Sequence, residues 1–150
     1  MITISRERAM EIFRAGRLPK DLIDKGISVI MPKNDAHKWF YHLESGRQKQ
    51  ADGVLYDPKD RSFCCLGLEQ SCNWGGKVES RKHDDKVVPA YMPSLEYLKE
   101  TAKMYYSLDG CETLDPALRG RGEETASTMN DNGNSFKEIA KVLRKCTAVY

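Results

Sequence analysis

Hydrophobic positions along the chain alternate between helical spacing and short β-type runs. Over Ile4 to Phe13, Ala9, Ile12 and Phe13 share one face, which predicts a first amphipathic helix with Thr3 or Ser5 as its cap. Arg17-Leu18-Pro19-Lys20 breaks it, and Asp21–Asp24 is a short segment ended by Lys25-Gly26. Ile27 to Met31 reads as a strand closed by Pro32. Trp39, Phe40 and Leu43 then fall on one side of a helix over Ala36–Glu44. Asn34-Asp35 can cap it, and Ser45-Gly46 ends it.

The centre of the pattern is a strand, Asp-Pro turn, strand, helix unit. Ala51 to Tyr56 is the first strand, and Asp57-Pro58-Lys59-Asp60 is the turn. Arg61 to Cys72 runs from a short strand into a helix, with Cys64 and Cys65 at the handover and Leu66, Glu69, Gln70 and Asn73 on neighbouring turns. Asn73-Trp74-Gly75-Gly76 closes that helix.

Residues 77–93 are charged and irregular and read as a flexible insert. Within it, Arg81-Lys82-His83 reads as a solvated loop, and Lys86 to Tyr91 as an edge strand because it contains Pro89. A helix from Ser94 carries Leu95, Leu98, Ala102 and Tyr105, and ends before Gly110. Leu114–Arg119 holds one further turn, and Gly120-Arg121-Gly122 is a joint. Glu123–Asn130 is a short helix, and Asn130 to Asn134 is a turn. Ser135 and Glu138 form a capping box for a last helix lined by Phe136, Ile139, Ala140, Leu143 and Cys146. The expected fold is one α+β domain over residues 1–150, a small, mainly antiparallel sheet packed by N- and C-terminal helices.

Composition narrows the classes of function. The chain has 150 residues, 40% of them hydrophobic and 31% charged, which suits a globular domain with its own core. A net charge of +2, from 24 basic and 22 acidic side chains, supplies no broad field for nucleic acid. No apolar run is long enough to span a membrane, and the first residues lack a signal segment, so a cytoplasmic protein is expected. Five cysteines with no export signal read as reduced thiols.

Three separated pieces together resemble small uncharacterised proteins carried by tailed bacteriophages and bacteria. They are Trp39 with Leu43, Ser45-Gly46 and Gln50; Gly53-Val54-Leu55 with Phe63-Cys64-Cys65-Leu66-Gly67-Leu68; and Asn130-Asp131, Gly133, Ser135-Phe136 and Glu138-Ile139-Ala140. The resemblance implies a phage or prophage origin and the cytoplasm of a bacterial host. The chain departs from the pattern at Met129, where leucine precedes Asn-Asp, and in its longer insert after Gly76.

Candidate chemistry is sparse. Cys65 is the nucleophile candidate, since a helix N-terminus favours thiolate. Its base would have to be His37, His42 or His83; the expected reading is instead that Cys64 and Cys65 pack as small apolar residues in the interior, with no catalytic residue. The cysteines lack the close pairs of a structural zinc site, so neither metal nor cofactor is expected. Trp39, Tyr41, Tyr56, Trp74 and Tyr91 could include a stacking wall for a planar ligand. Lys49, Gln50, Trp74, Asn130 and Asp131 are the candidate ligand-binding residues; turn and cap roles are the alternative for Asn130 and Asp131. The expected function is that of a phage accessory protein countering host defence. It would sequester a small signalling molecule, a nucleotide among the candidates, or cover a host protein; a homo-oligomer is compatible. The alternatives are a cysteine-dependent enzyme using Cys65 and a protein-binding module acting through residues 77–93.

Overall fold

The computed structural model describes residues 1–73, 80–83, 86–89, 111–113, 118 and 121–150. In chain order the elements are β1 (Ile2–Thr3), α1 (Arg6–Ala15), α2 (Lys20–Asp24), β2 (Val29–Met31) and α3 (Lys33–Glu44). Then come β3 (Tyr56–Asp57), β4 (Ser62–Phe63), α4 (Cys65–Asn73), β5 (Ser80–His83) and β6 (Lys86–Pro89). The last are α5 (Ala126–Asp131), α6 (Phe136–Cys146) and β7 (Thr147–Val149). The expected helix from Ser94, the turn within 114–119 and the Trp74-Gly75-Gly76 exit lie wholly or almost wholly outside the described residues.

The sheet at the centre has the order β1-β7-β2, and both pairings are parallel. The β1–α1–α2–β2 crossover leaves room for one strand between β1 and β2, and β7 fills it. Antiparallel pairing is confined to two ribbons, β3 with β4 and β5 with β6. The protein is therefore α+β as expected, but its central sheet is parallel where the hydrophobic pattern predicted a mainly antiparallel one. The pattern could not show this, because a buried run such as Ile27 to Met31 is compatible with either direction. The expected strand over Ala51 to Tyr56 shrinks to β3. The insert contributes a paired ribbon, so Arg81-Lys82-His83 is strand where a loop was expected.

A parallel sheet needs cover on both faces, and side chains of a strand alternate between them. Ile30 and Ala148 pack with Ala9 and Ile12 of α1, Leu22 of α2 and Ile27. Val29, Met31 and Val149 point the other way, into a larger core with Trp39, Phe40, Leu43, Leu66, Leu68, Ile139 and Leu143. Phe13 lies edge-on to Tyr150, ring centroids 6.0 Å apart, beside the smaller core.

The helices begin and end for local reasons. Ser5 Oγ accepts the Arg8 N–H at 3.1 Å, and Gly16, at φ +64°, donates its N–H to the Ile12 carbonyl. The capping box at α6 is complete: the Glu138 carboxylate accepts the Ser135 N–H at 2.7 Å, and Ser135 Oγ accepts the Glu138 N–H. Helix α3 starts earlier than expected, directly after Pro32, so Asn34 and Asp35 sit inside its first turn. Asp35 still suits that place, where the helix dipole favours negative charge. Arg144 of α6 grips Glu44 of α3 through two hydrogen bonds, at 2.7 and 2.9 Å, and its guanidinium lies 4.9 Å from the Phe40 ring centre.

One glycine is dictated by packing. A Cβ at Gly67 in α4 would lie 1.8 Å from the carbonyl oxygen of Leu55. That same carbonyl accepts the Cys64 N–H at 3.1 Å, so the backbone before β3 rests on the first turn of α4. Gly67→Ala is expected to destabilise the fold by about 3 kcal/mol or more, because backbone rather than a mobile side chain must yield. A melting curve should show Tm lowered by roughly 6–12 °C; an unmoved Tm would mean that this approach is not close in solution.

Candidate functional site

Three of the five candidate ligand-binding residues, Gln50, Asn130 and Asp131, meet at one buried amide. Asn130, near the end of α5, is 0% exposed. Its Oδ1 accepts the Cys65 N–H at 3.2 Å and Gln50 Nε2 at 3.0 Å, and its Nδ2 donates to the Ala51 carbonyl at 2.7 Å. One side chain thus ties α5 to the start of α4 and to the segment entering the β3–β4 ribbon. Gln50 Nε2 also donates to the Asn134 carbonyl at 2.8 Å, and Asp131 Oδ1 accepts the Gly53 N–H at 2.8 Å. Three stretches far apart in sequence, 50–53, Cys65 and 130–134, therefore form an internal clamp. Lys49 is next to it in the chain but pairs on the surface with Asp60 at 3.0 Å. Trp74, the fifth candidate, lies outside the described residues.

The two adjacent thiols have different environments. Cys64 is the residue before the first helical position of α4, and its Sγ accepts the Gly67 N–H at 3.4 Å. Cys65 is 0% exposed, with its S–H 3.4 Å from the Ala126 carbonyl. Hydrogen bonding to the Cys64 sulfur and burial push the Cys65 thiol well up. The Cys65 S–H, and after it the Gly67 and Leu66 amides, hold Cys64 below the ordinary thiol range. Both thiols pack in the larger core, Cys64 at 5% and Cys65 at 0% exposure, and the amide donors at the helix start face Cys64. Which of the two sulfurs the amides face depends on where the first helical turn closes. Burial pushes Cys72 up to about 12, and its S–H donates to the Leu68 carbonyl at 2.8 Å. Cys111 is buried in the larger core with φ +44°, a left-handed conformation that non-glycine residues rarely take.

Other groups sort by burial. Trp39 is 0% exposed, and its Nε1 donates to the Cys65 carbonyl at 2.8 Å, so it belongs to the core. Tyr41 is 58% exposed, and the Tyr56 ring packs on Phe63 at 4.8 Å. No stacking wall joins these three rings. Between α3 and α4 runs a buried polar seam that the sequence reading did not assign a role. Asn73 Nδ2 donates to Glu69 Oε1 at 3.0 Å and to the Asp35 carbonyl at 3.2 Å, with Gln70 buried beside them. The spacing of Glu69 and Asn73, one turn apart on α4, was the available signal. Among the described residues, no three of His, Cys, Asp and Glu converge as donors for a metal ion. No helix among them is long and apolar enough to cross a membrane.

An open concavity lies elsewhere among the described residues, between α1 and α2. A groove of about 780 Å³ has Ile12, Ala15, Leu18, Pro19 and Ile23 among its lining residues. Glu7, Arg8, Glu11, Arg17 and Lys20 supply its charge. Arg8 pairs with Asp21 at 2.5 Å and Lys20 with Asp24 at 2.7 Å. Ile23 is 47% exposed, unusual for a large apolar side chain in this protein. The sequence reading passed over this groove, because it treated Arg17 to Lys20 only as a helix break.

No family model, no curated protein and no solved structure matches the chain. Its functional reading therefore rests on its own residues and on the short motifs described above.

Asn130→Ala would leave the Cys65 N–H and the Ala51 carbonyl buried without their side-chain partner. Denaturant unfolding should show a loss of about 3 kcal/mol. Asn130→Asp should not restore it, because a carboxylate cannot donate to Ala51; full stability in either variant would count against the clamp. For the thiols, alkylation followed by peptide mass spectrometry from about pH 6 to about pH 9 should modify Cys64 before Cys65. The Cys64 rate should rise at lower pH than that of an ordinary thiol. Equal or reversed rates would refute the assignment.

Proposed function

We propose that the protein acts by binding a component of a bacterial host cell, in the manner of a phage accessory protein that counters host defence. The component is a small signalling molecule, a nucleotide included, or a host protein, met in the host cytoplasm. The observation that carries this reading is the groove between α1 and α2, an open concavity with an apolar floor and a charged rim. Its volume falls within the range typical of ligand sites. The clamp residues Gln50, Asn130 and Asp131 support it indirectly: their hydrogen bonds run to other parts of the chain, which gives them a role in holding the loop before β3. Motif resemblance to small proteins of tailed phages supplies the biological setting.

A second reading has one specific observation in its favour. Cys64, rather than Cys65, has the hydrogen-bond donors that favour a thiolate, and a thiol-dependent reaction would be placed there.

Hydrogen exchange tests the first reading. The purified protein is incubated with a nucleotide panel and, separately, with host cytoplasmic extract. Either addition should protect amides across α1 and α2, and a bound nucleotide should also raise Tm in a concentration-dependent way. Ile23→Asp, at a half-exposed position, should fold normally and abolish both effects. Unchanged exchange across α1 and α2 under every condition refutes groove binding. Turnover lost in Cys64→Ser, with an unmoved melting curve, would establish the thiol reading in its place.

A further inference from the structure

Resting on the binding reading above, we propose that the groove between α1 and α2 receives an amphipathic helix of a partner protein. That helix carries an apolar stripe, with basic residues to meet Glu7 and Glu11 and an acidic residue to meet Arg17.

Shape comes first. The lining residues come from α1, from the α1–α2 link and from α2, with Ser5, the α1 cap, at one end. No strand edge takes part, since β1 stops at Thr3. The groove thus offers no row of backbone donors and acceptors for an extended peptide, which is what strand addition requires. A volume of about 780 Å³ matches a cylinder about 10 Å across and about 10 Å long. That is about two turns of α-helix, the length over which apolar anchors at i, i+3, i+4 and i+7 act. Ile12 is buried at the floor, whereas Ile23 stands half-exposed at the edge, where an anchor can cover it.

Charge then selects among occupants. Arg8 and Lys20 are matched by Asp21 and Asp24. Among the described residues, Glu7, Glu11 and Arg17 make no ion pair, and they are segregated. The two acids sit one turn apart on α1, and the arginine follows that helix after Gly16. A phosphate-bearing small molecule drawn to Arg17 would enter a groove whose remaining unpaired charge is negative. A helix can distribute both signs along its length and satisfy both groups. It would also cover apolar surface that a highly charged ligand would leave wet.

The test uses three fluorescent helical peptides with the same Leu/Ile stripe and different flanks: mixed Lys and Glu, all Lys, and all Glu. Fluorescence anisotropy on the intact protein should rank the mixed peptide tightest, at least tenfold above the all-Glu peptide. Arg17→Glu should hand first place to the all-Lys peptide, and Ile23→Asp should abolish binding of all three while leaving Tm unmoved. Equal affinity for the three peptides, or affinity unaffected by Ile23→Asp, overturns the proposal. So does concentration-dependent self-association abolished by Ile23→Asp, which would place a second copy in the groove. A nucleotide that raises Tm only when Ile23 is present overturns the helix assignment and leaves the binding reading standing. Absence of any groove-dependent ligand refutes both.

Discussion

A strand of three residues, Thr147–Val149, holds the two halves of the protein together. It is hydrogen-bonded on both sides, to β1 and to β2, and all three of its residues are buried. Without it the first crossover would enclose an unfilled slot, with the backbone groups of β1 and β2 facing each other across the gap. Burying such groups without partners costs more than a hydrogen bond gains. The same strand divides the interior, since Ala148 faces the core under α1 and α2 while Val149 faces the core under α3, α4 and α6. Helix α6 leads directly into it, so the capping box at Ser135 also sets where the strand begins.

On the larger face, order around α4 comes from two close fits. Gly67 lets the Leu55 carbonyl rest on the first helical turn, and Asn130 joins the helix start to the loop beneath it. Trp39 adds a third link through the Cys65 carbonyl. These contacts explain why a Cys-Leu-Gly junction and an Asn-Asp pair occur in the same chain, although neither has an evident role alone. Both thiols are buried in the larger core, with the Gly67 amide turned toward the Cys64 sulfur.

The opposite face has a different character. Helices α1 and α2 cover the sheet with a small core, and their outer sides meet in the groove. One face is thus fixed by buried polar links, and the other offers apolar surface that the described residues leave open. The buried polar links and the open groove therefore lie on separate sides of one sheet.

Much of this was legible in the residues. Periodicity located α1, α3, α4 and α6 to within a few positions, because an amphipathic face and a cap are local properties. The Ser135–Glu138 capping box and the Gly46 termination needed no partner from elsewhere. The motif residues Gln50, Asn130 and Asp131 were also visible as a set, and they do meet. Only the tertiary structure decided what they do when they meet, since a hydrogen bond across 80 residues of sequence has no local signature. It alone revealed β7, which continues the buried run of α6 and is a strand only because β1 and β2 flank it. It alone made the sheet parallel, turned the first amides of α4 toward the Cys64 sulfur, and brought α1 and α2 together as a groove. In each case the cause is a neighbour distant in sequence, which propensity and spacing do not encode.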